Sequence, residues 1–216
     1  YFNRHLNQKV KIQNIDNVIN ISNDNDNFAI FSKQDSNACR IVIVDPLGIQ
    51  IATTNISFIP TTFSMSNKKV AFASSSKIGI WPYENDNSEI IDIDDQIKSI
   101  CLFNDTLFAS IEDHIIYFDV QSLSEKSRYK INFTAEIIQS SCDMKRLSLI
   151  DSNSTMRFYN IETSRLVGPT RKELSNPLWS SKVPNMIAAS ERSKLTVYDN
   201  LIPDESYQTL SISISL

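Results

Sequence analysis

Glycine is scarce in this chain of 216 residues, with only Gly48, Gly79 and Gly168 present. Loops that cradle phosphates need several closely spaced glycines, because only glycine lets the backbone approach the ligand so tightly. The P-loop and the dinucleotide-binding loop are therefore excluded. Many nucleotide-dependent enzyme classes are excluded with them.

Cysteine is equally rare. Cys39, Cys101 and Cys142 are the only three, and they lie far apart and outside any metal-binding spacing. An odd number of scattered cysteines favours free thiols in a reducing, intracellular compartment. Triplets of the N-glycosylation type also occur, but a chain this rich in Asn and Ser contains them by chance. They begin at Asn20, Asn55, Asn104, Asn132 and Asn153.

The chain also lacks clusters of one charge and long apolar runs. Its 21 basic and 25 acidic residues are scattered, so no surface for nucleic acid or an anionic membrane is indicated. No apolar run approaches the roughly 18 residues that suggest a transmembrane segment, and the first ten residues, YFNRHLNQKV, contain no hydrophobic signal core. The expected partners are proteins, and no direct small-molecule substrate is expected.

What the chain does contain is a repeated strand pattern, in which β-rich runs end on a polar or turn residue. The runs are IVIVDP (41–46), IGIWPY (78–83), IIYFDV (115–120), MRFYNI (156–161) and LTVYDN (195–200). The closing residues Asp45, Pro82, Asp119, Asn160 and Asp199 are separated by 37, 37, 41 and 39 residues. The first three residues, YFN, resemble the end of one more such run.

Other strands recur in phase with these runs. A second strand ending in small residues precedes each one: 28–32, 70–75, 107–111, 147–151 and 186–190. Short polar turns of hairpin type separate the two strands, as at Glu112-Asp113. First strands are indicated at 63–69 and 137–145, and more polar outer strands at 48–54, 127–133 and 206–212.

A period of about 40 residues built from four strands is typical of a β-propeller blade. The continuous apolar runs support this assignment, because the middle strands of a blade are covered on both faces. The sequence therefore predicts an all-β fold: a partial WD40-like β-propeller of about five four-stranded blades plus a leftover strand. The whole chain, 1–216, is predicted to be one domain, with blades at roughly 10–54, 55–95, 96–133, 134–170 and 171–212. The ring is expected to be incomplete, with its remaining blades supplied by sequence outside this chain.

The closing residues Asp45, Asp119, Asn160 and Asp199 share one phase of the repeat. A catalytic residue has no reason to recur in every blade, whereas an acceptor that holds the next turn does. We therefore interpret them as structural. The aromatic residues close to these positions are interpreted as packing between blades. They are Trp81, Phe118, Tyr159 and Tyr198.

Two histidines and one acidic cluster are the remaining candidates for chemistry. His114 follows Glu112 and Asp113, which fits a charged hairpin turn better than a metal or acid/base site; His5 has no such neighbours. Asp92, Asp94 and Asp95 lack the glycine and distal glutamate of a calcium loop and fit a solvated edge. No catalytic, cofactor-binding or metal-binding residue is predicted, and no enzyme activity is expected.

Two apolar stretches, NPLW (176–179) and LIPDESY (201–207), are candidates for a partner-binding rim. The favoured alternative places Trp179 in the first strand of its blade, where it is buried. The protein-binding residues are not identified by the sequence.

The stretch RKELSNPLWSSKVPNMIAASERSKLTVYDNLIPDESYQ (171–208) has an ordered set of features. These are a basic–acidic start, a Trp, a Pro loop, an apolar strand and a Leu-x-Pro-Asp-Glu ending. Because these features occur in this order, the stretch resembles part of the second WD-repeat propeller of an intraflagellar transport complex A subunit, of the type named WD-repeat protein thirty-five. The segment from Arg40 to Tyr83 is similar to another part of that propeller, and a weaker likeness extends through 97–170. Gly-His dipeptides are absent, and Trp81 is the only Trp beside a closing residue.

The resemblance implies a non-catalytic scaffold without cofactors. Its expected role is in retrograde ciliary transport and the ciliary entry of membrane cargo. The implied partners are other subunits of intraflagellar transport complex A and ciliary cargo or adaptors. The implied locations are the cytoplasm and the cilium or flagellum, at the ciliary base and axoneme. A coat- or nucleopore-type propeller scaffold in vesicle or nuclear transport is the alternative.

Overall fold

Antiparallel strands joined by tight hairpins make up the described part of the computed structural model. The structure describes residues 12, 15–24, 26–85, 87–191 and 194–198, together with the backbone of three short strands, 2–3, 8–9 and 209–210. The two strands nearest the start, β1 (Phe2–Asn3) and β2 (Gln8–Lys9), pair with each other. β1 is the leftover strand that the sequence predicts, and β2 was not predicted.

The other twenty strands form five four-stranded sheets, here called blades 1 to 5. Blade 1 contains β3 (Val18–Asn23), β4 (Phe28–Lys33), β5 (Cys39–Val44) and β6 (Gln50–Ile56). Blade 2 contains β7 (Thr62–Ser66), β8 (Lys69–Ala73), β9 (Lys77–Pro82) and β10 (Glu89–Asp92). Blade 3 contains β11 (Ile97–Phe103), β12 (Thr106–Ile111), β13 (His114–Asp119) and β14 (Ser124–Lys130).

Blade 4 contains β15 (Ile137–Ser140), β16 (Arg146–Ile150), β17 (Met156–Asn160) and β18 (Arg165–Arg171). Blade 5 contains β19 (Leu174–Trp179), β20 (Ile187–Glu191), β21 (Lys194–Tyr198) and β22 (Thr209–Leu210). Within every blade the strands pair in chain order, each antiparallel to the next. This is the propeller architecture that the 40-residue period predicts, and the predicted fold class is confirmed.

Tight turns set the register of the hairpins. Ser66 pairs with Lys69, which leaves a two-residue loop of Asn67 and Lys68 with φ angles of 46° and 61°. Two consecutive positive φ angles define a type I′ turn, whose twist matches that of the flanking strands. Asn tolerates this conformation well. The polar turn predicted at Glu112-Asp113 is also present, since Ile111 pairs with His114 and leaves these two residues as the loop. Such turns fix which side chains lie on each face.

The hydrophobic core consists mainly of separate clusters, each lying between two consecutive blades. Alternate side chains of the middle strands point to opposite faces of a sheet, so the middle strands of blades 2, 3 and 4 contribute to two neighbouring clusters. Phe31 and Phe72 lie between blades 1 and 2, whereas Ala109 and Ile80 lie between blades 2 and 3. Further clusters fill the spaces between blades 3 and 4 and between blades 4 and 5. This explains why the middle strands read as continuous apolar runs.

Candidate functional site: the blade turns, the central cavity and the exposed blade faces

The repeated acceptors at the strand ends hold the turns that follow them. Oδ1 of Asp119 accepts hydrogen bonds from the backbone N–H groups of Gln121 and Ser122, at 3.1 and 3.0 Å, and from the Ser122 hydroxyl at 3.0 Å. The hydrogen bonds from Ser122 hold the pKa of this carboxyl below its ordinary value, since they favour the charged form. Asp119 therefore holds the turn that follows its strand.

The equivalent residues in two other blades behave in the same way. Asp45 Oδ1 accepts from the N–H groups of Leu47 and Ile49, at 2.9 and 2.8 Å, and Asn160 Oδ1 accepts from that of Thr163 at 2.9 Å. The structural interpretation of these three residues is confirmed. The fourth acceptor, Asp199, lies outside the described residues.

The four aromatic residues near these positions are buried between blades. Trp81 lies between blades 1 and 2 and Phe118 between blades 2 and 3. Tyr159 lies between blades 3 and 4 and Tyr198 between blades 4 and 5. Their predicted role in inter-blade packing is confirmed. It accounts for their regular spacing without any binding function.

His114 begins β13, with its Nδ1 atom 2.7 Å from Asp113 Oδ1. Lys130 on the adjacent strand lies 3.5 Å from the other oxygen of Asp113. Within the described part of the chain, no three His, Cys, Asp or Glu residues are grouped closely enough to hold a metal ion. The charged-turn interpretation therefore fits the geometry around His114, whereas His5 lies outside the described residues.

The acidic cluster is divided between separate ion pairs. Asp92 lies 3.5 Å from Lys77, and Asp95 lies 2.9 Å from Arg128, which also contacts Glu125. All of these side chains are at least partly exposed, so each pair contributes at most about 1 kcal/mol to stability. The carboxylates thus lie along a solvated edge, as the sequence predicts.

The cysteines have no disulfide partners. Burial raises the pKa of the Cys39 thiol to about 11, because desolvation disfavours the thiolate. The Cys101 thiol is buried as well, and its pKa is also raised by burial. A protonated thiol is a poor nucleophile, so these two residues contribute packing rather than chemistry.

Trp179 ends β19, the first strand of blade 5, as predicted. It is half-buried rather than fully buried. Its Nε1–H donates to Ser148 Oγ at 3.0 Å, and its ring meets that of Phe158 edge-on. Its neighbour Leu178 is exposed. The second candidate stretch, 201–207, lies outside the described residues.

The first strands of all five blades surround a central cavity of about 670 Å³. The residues that line it include the charged residues Asp24, Asp26 and Lys68. The Asp24 carboxylate holds its own turn, since its Oδ1 accepts hydrogen bonds from the backbone N–H groups of Asp26 and Asn27. Lys68 pairs with Glu84 at 2.6 Å.

Hydroxyl side chains connect the first strands across this cavity wall. Three hydroxyls on β7 accept hydrogen bonds from backbone N–H groups in β11 or directly after it, 38 residues further on. The pairs are Thr62 with Ile100, Ser64 with Leu102, and Ser66 with Asn104, at 3.2, 2.8 and 3.1 Å. Ser99 accepts in the same way from Ile138 at 3.2 Å. Sequence reasoning missed these contacts, although the alternation of Thr62, Ser64 and Ser66 was visible in the chain.

Apolar side chains are exposed at a few places on the blades, and these are the candidate protein-binding surfaces. One is the turn at Asp45, where the two hydrogen bonds to Asp45 hold Leu47 and Ile49 towards solvent. Others are the faces of blades 1 and 5 that point away from blades 2 and 4. Buried aromatic and apolar anchors provide most of the affinity in protein interfaces, so these surfaces suit macromolecular partners.

Comparisons with solved structures support the fold. The chain resembles a chain of hydrazine synthase from Kuenenia stuttgartiensis with a TM-score of 0.67 at 13% identity, covering 94% of this chain and 68% of that one. It resembles a chain of the mitotic checkpoint complex with a TM-score of 0.65 at 12% identity, covering 92% and 67%. It also resembles the Cps50 (Swd1) β-propeller domain of Myceliophteria thermophila, with a TM-score of 0.64 at 12% identity, covering 89% and 73%. At these identities the likeness shows the fold alone.

Comparisons with curated proteins indicate the family, whereas the solved structures show only the fold. WD repeat-containing protein 35 of Rattus norvegicus is 20% identical over 256 residues, which covers 94% of this chain and 22% of the relative. The protein of the same name from Mus musculus is 24% identical over 127 residues, covering 53% and 11%. The chain thus spans about a fifth of the length of the rat relative. The family model described as WDR35 second beta-propeller matches residues 1–94 and 85–212. Since these matches include nearly every residue, the chain belongs to the WDR35 second beta-propeller family.

Proposed function

We propose that this chain is a non-catalytic scaffold unit of the intraflagellar transport complex A. In this role it supports retrograde ciliary transport and the ciliary entry of membrane cargo through protein–protein contacts. The match of the family model to nearly the whole chain carries the proposal. It favours this function over a coat- or nucleopore-type scaffold, which shares only the propeller architecture.

The chemistry of the described residues suits a scaffold. The strand-end carboxylates hold turns, the buried thiols are protonated, and the hydroxyls of the first strands bond to backbone groups. These rigid elements present turns and blade faces to partners, and affinity comes from a few apolar anchors. The described part of the chain includes no helix that is long and apolar enough to cross a membrane.

Residues 1–216 act in this proposal as one structural unit within a longer subunit. The partners are other subunits of intraflagellar transport complex A and ciliary membrane cargo or its adaptors. The location is the cytoplasm, the ciliary base and the axoneme. No cofactor and no nucleic acid take part.

Affinity purification of the tagged full-length protein from ciliated cells tests the proposal. Subunits of intraflagellar transport complex A should be recovered in near-stoichiometric amounts, and loss of the protein should leave transport particles accumulated at ciliary tips. Recovery of coat or nuclear-pore subunits in their place, with normal retrograde movement, would contradict it.

The turn at Asp45 is the contact we propose to test first. Leu47→Asp places a charge where an exposed leucine is held rigidly, so it should lower recovery of a partner that binds there by about tenfold or more. Leu166→Asp is the matched control, because Leu166 is similarly exposed but lies on β18. Equal recovery with both variants would place the partner contact elsewhere on the propeller.

A further inference from the structure

The strand β6 forms the outer edge of blade 1. Among the described residues it pairs with β5 alone, so along its other edge the backbone N–H and C=O groups meet no strand. An unprotected edge of this kind is a template for pairing with another chain. Proteins therefore block their edges with charged side chains, with proline or by keeping the edge strand short.

The outer strands of blades 2, 3 and 4 are blocked in these ways, whereas β6 is not. β10 has only four residues and carries a carboxylate at each end. β14 carries four charged side chains among its seven residues, and β18 contains Pro169 and has an arginine at each end. By contrast, β6 is seven residues long and has the sequence QIATTNI, with neither a charge nor a proline. Its edge is therefore open to pairing.

The register of β6 shows which of its backbone groups point outwards. The N–H of Asp45 donates across the turn to the chain that enters β6. Every second residue of β5, counted back from Asp45, therefore turns its backbone groups towards β6, because these groups alternate in direction along an antiparallel strand. Those residues pair with Ala52 and Thr54. The N–H and C=O groups of Thr53 and Asn55 consequently point away from β5.

Exposed apolar side chains lie at the start of this strand. Leu47, Ile49 and Ile51 are 52%, 60% and 51% exposed. The hydrogen bonds to Asp45 hold the turn that carries the first two. A segment that binds along β6 therefore meets apolar anchors at this end, of the kind that provide affinity in protein interfaces.

A cation lies towards the other end of the strand. Arg40 is opposite Asn55 in the register, and its Nε–H donates to Thr53 Oγ1 at 3.1 Å. Among the described residues, no carboxylate lies within ion-pair distance of the Arg40 guanidinium. Arginine binds carboxylates through strong charge-assisted hydrogen bonds. The charge that complements this end of the edge is therefore negative.

We propose that β6 is a docking edge for an extended segment of a partner protein, which adds to blade 1 as a further antiparallel strand. Its backbone pairs with the outward N–H and C=O groups of Thr53 and Asn55, since extended backbone provides both partners at this spacing. The segment carries a carboxylate beside Arg40, followed by apolar side chains beside Ile51 and Ile49. A second copy of β6 lacks the carboxylate that Arg40 requires. The proposal does not depend on which complex the protein joins.

Hydrogen exchange tests the proposal on the full-length protein isolated from cells with its bound proteins. The amides of Thr53 and Asn55 should exchange at least about tenfold more slowly than in the same protein stripped of its partners by salt, because an added strand occupies their N–H groups. β14 is the matched control, since it is an outer strand of the same length whose charges block its edge. Its exchange should be the same in both states. Equal rates in both states for Thr53 and Asn55 would overturn the proposal.

This measurement is separate from the test of the proposed function. The exchange rates are compared whichever proteins are recovered, whereas the proposed function depends on the identity of those proteins. Protection that appears in the purified protein alone and rises with its concentration would assign the edge to a second copy and overturn the proposal.

Substitutions at Asn55 separate backbone pairing from side-chain contact. Asn55→Pro removes the outward N–H, a change that an edge strand tolerates, and should reduce the protection at Thr53 by about fivefold or more. Asn55→Ala keeps the N–H and should leave that protection unchanged. Equal protection in the two variants would overturn the proposal. Should the proline variant fail to fold, Arg40→Glu provides the second test: it places like charges together and should also reduce the protection, and unchanged protection would overturn the proposal.

Discussion

Blades 1 and 3 are built from nearly the same pattern, yet they differ in what surrounds them. In blade 3 both faces are covered, by blades 2 and 4, and its inner strand β11 is buried along most of its length. Among the residues that the structure describes, only one face of blade 1 meets another blade, and β3 is exposed at nearly every residue. Strand formation therefore depends on the local pattern, whereas burial depends on the neighbouring blade. Four changes test this difference, in order of decreasing expected effect.

The largest effect is expected for Leu107→Ala, within the covered part of blade 3. Leu107 is fully buried between blades 2 and 3, so its truncation should lower the free energy of unfolding by about 3–4 kcal/mol. Denaturant unfolding of the full-length protein measures this value. Ile90→Ala on the exposed strand β10 is the control, with an expected loss below about 1 kcal/mol. A similar loss at both positions would mean that the contact between blades 2 and 3 contributes little to the free energy of unfolding.

Gly79→Ala should have the next largest effect, at the contact between blades 1 and 2. A Cβ atom at Gly79 would lie 2.2 Å from Cε2 of Phe72, and Phe72 is fully buried among residues of blades 1 and 2. The ring has to move, at a cost of about 2–3 kcal/mol. Combining the change with Phe72→Leu should recover part of this loss in the same unfolding measurement. Strict additivity of the two losses would contradict the proposed overlap.

Ser64→Ala tests the hydroxyl contact between blades 2 and 3. The change removes the acceptor for the N–H of Leu102, at 2.8 Å, and should cost about 1–2 kcal/mol because that N–H is left unpaired. Hydrogen exchange at the Leu102 amide should accelerate in step with this loss. Ser75→Ala, at an exposed turn position of blade 2, is the control. Unchanged exchange at Leu102 would contradict a structural role for the hydroxyl.

The smallest effect is expected at Asp119, in an exposed turn of blade 3. Its pKa in the folded chain is lowered by hydrogen bonds from Ser122. The contribution of Asp119 to stability is therefore fully present at pH values above the ordinary carboxyl pKa. The contribution is lost as the pH falls through the lower folded-state pKa. Asp119→Asn keeps an oxygen acceptor, as Asn160 does naturally, and should remove this pH dependence with little loss at neutral pH. Carbon-13 NMR titration of Asp119 measures the direction of its pKa shift, and a pKa at the ordinary carboxyl value would contradict the prediction.

Much of the fold could be predicted because its repeat is local. The runs ending at Asp45 and Asp119 predict β5 and β13 to within about two residues, since a buried strand that ends in a turn leaves a recognisable pattern. The role of Asp119 could be predicted for the same reason, because its hydrogen bonds span only two and three residues. The family resemblance came from residues 171–208, and the family match extends it to nearly the whole chain.

The candidate surfaces could be predicted less well. Val18 and Ile97 belong to the same residue class and the same register, so no local rule separates the exposed residue from the buried one. The bond between Ser64 and Leu102 spans 38 residues, and it depends on how two blades are placed around the axis. Leu178 and Trp179 were one apolar stretch in the sequence, but the pairing of β19 with β20 directs them to opposite faces.

The sequence by itself determined where the strands lie, how they repeat and which residues hold the turns, because these features depend on interactions over a few residues. Tertiary structure alone decided which apolar side chains are covered and which remain available to a partner. The physical reason is that a blade buries its faces only against its neighbours. The exposure of Val18 and Ile21 is thus a property of the arrangement of blades and not of the strand that carries them.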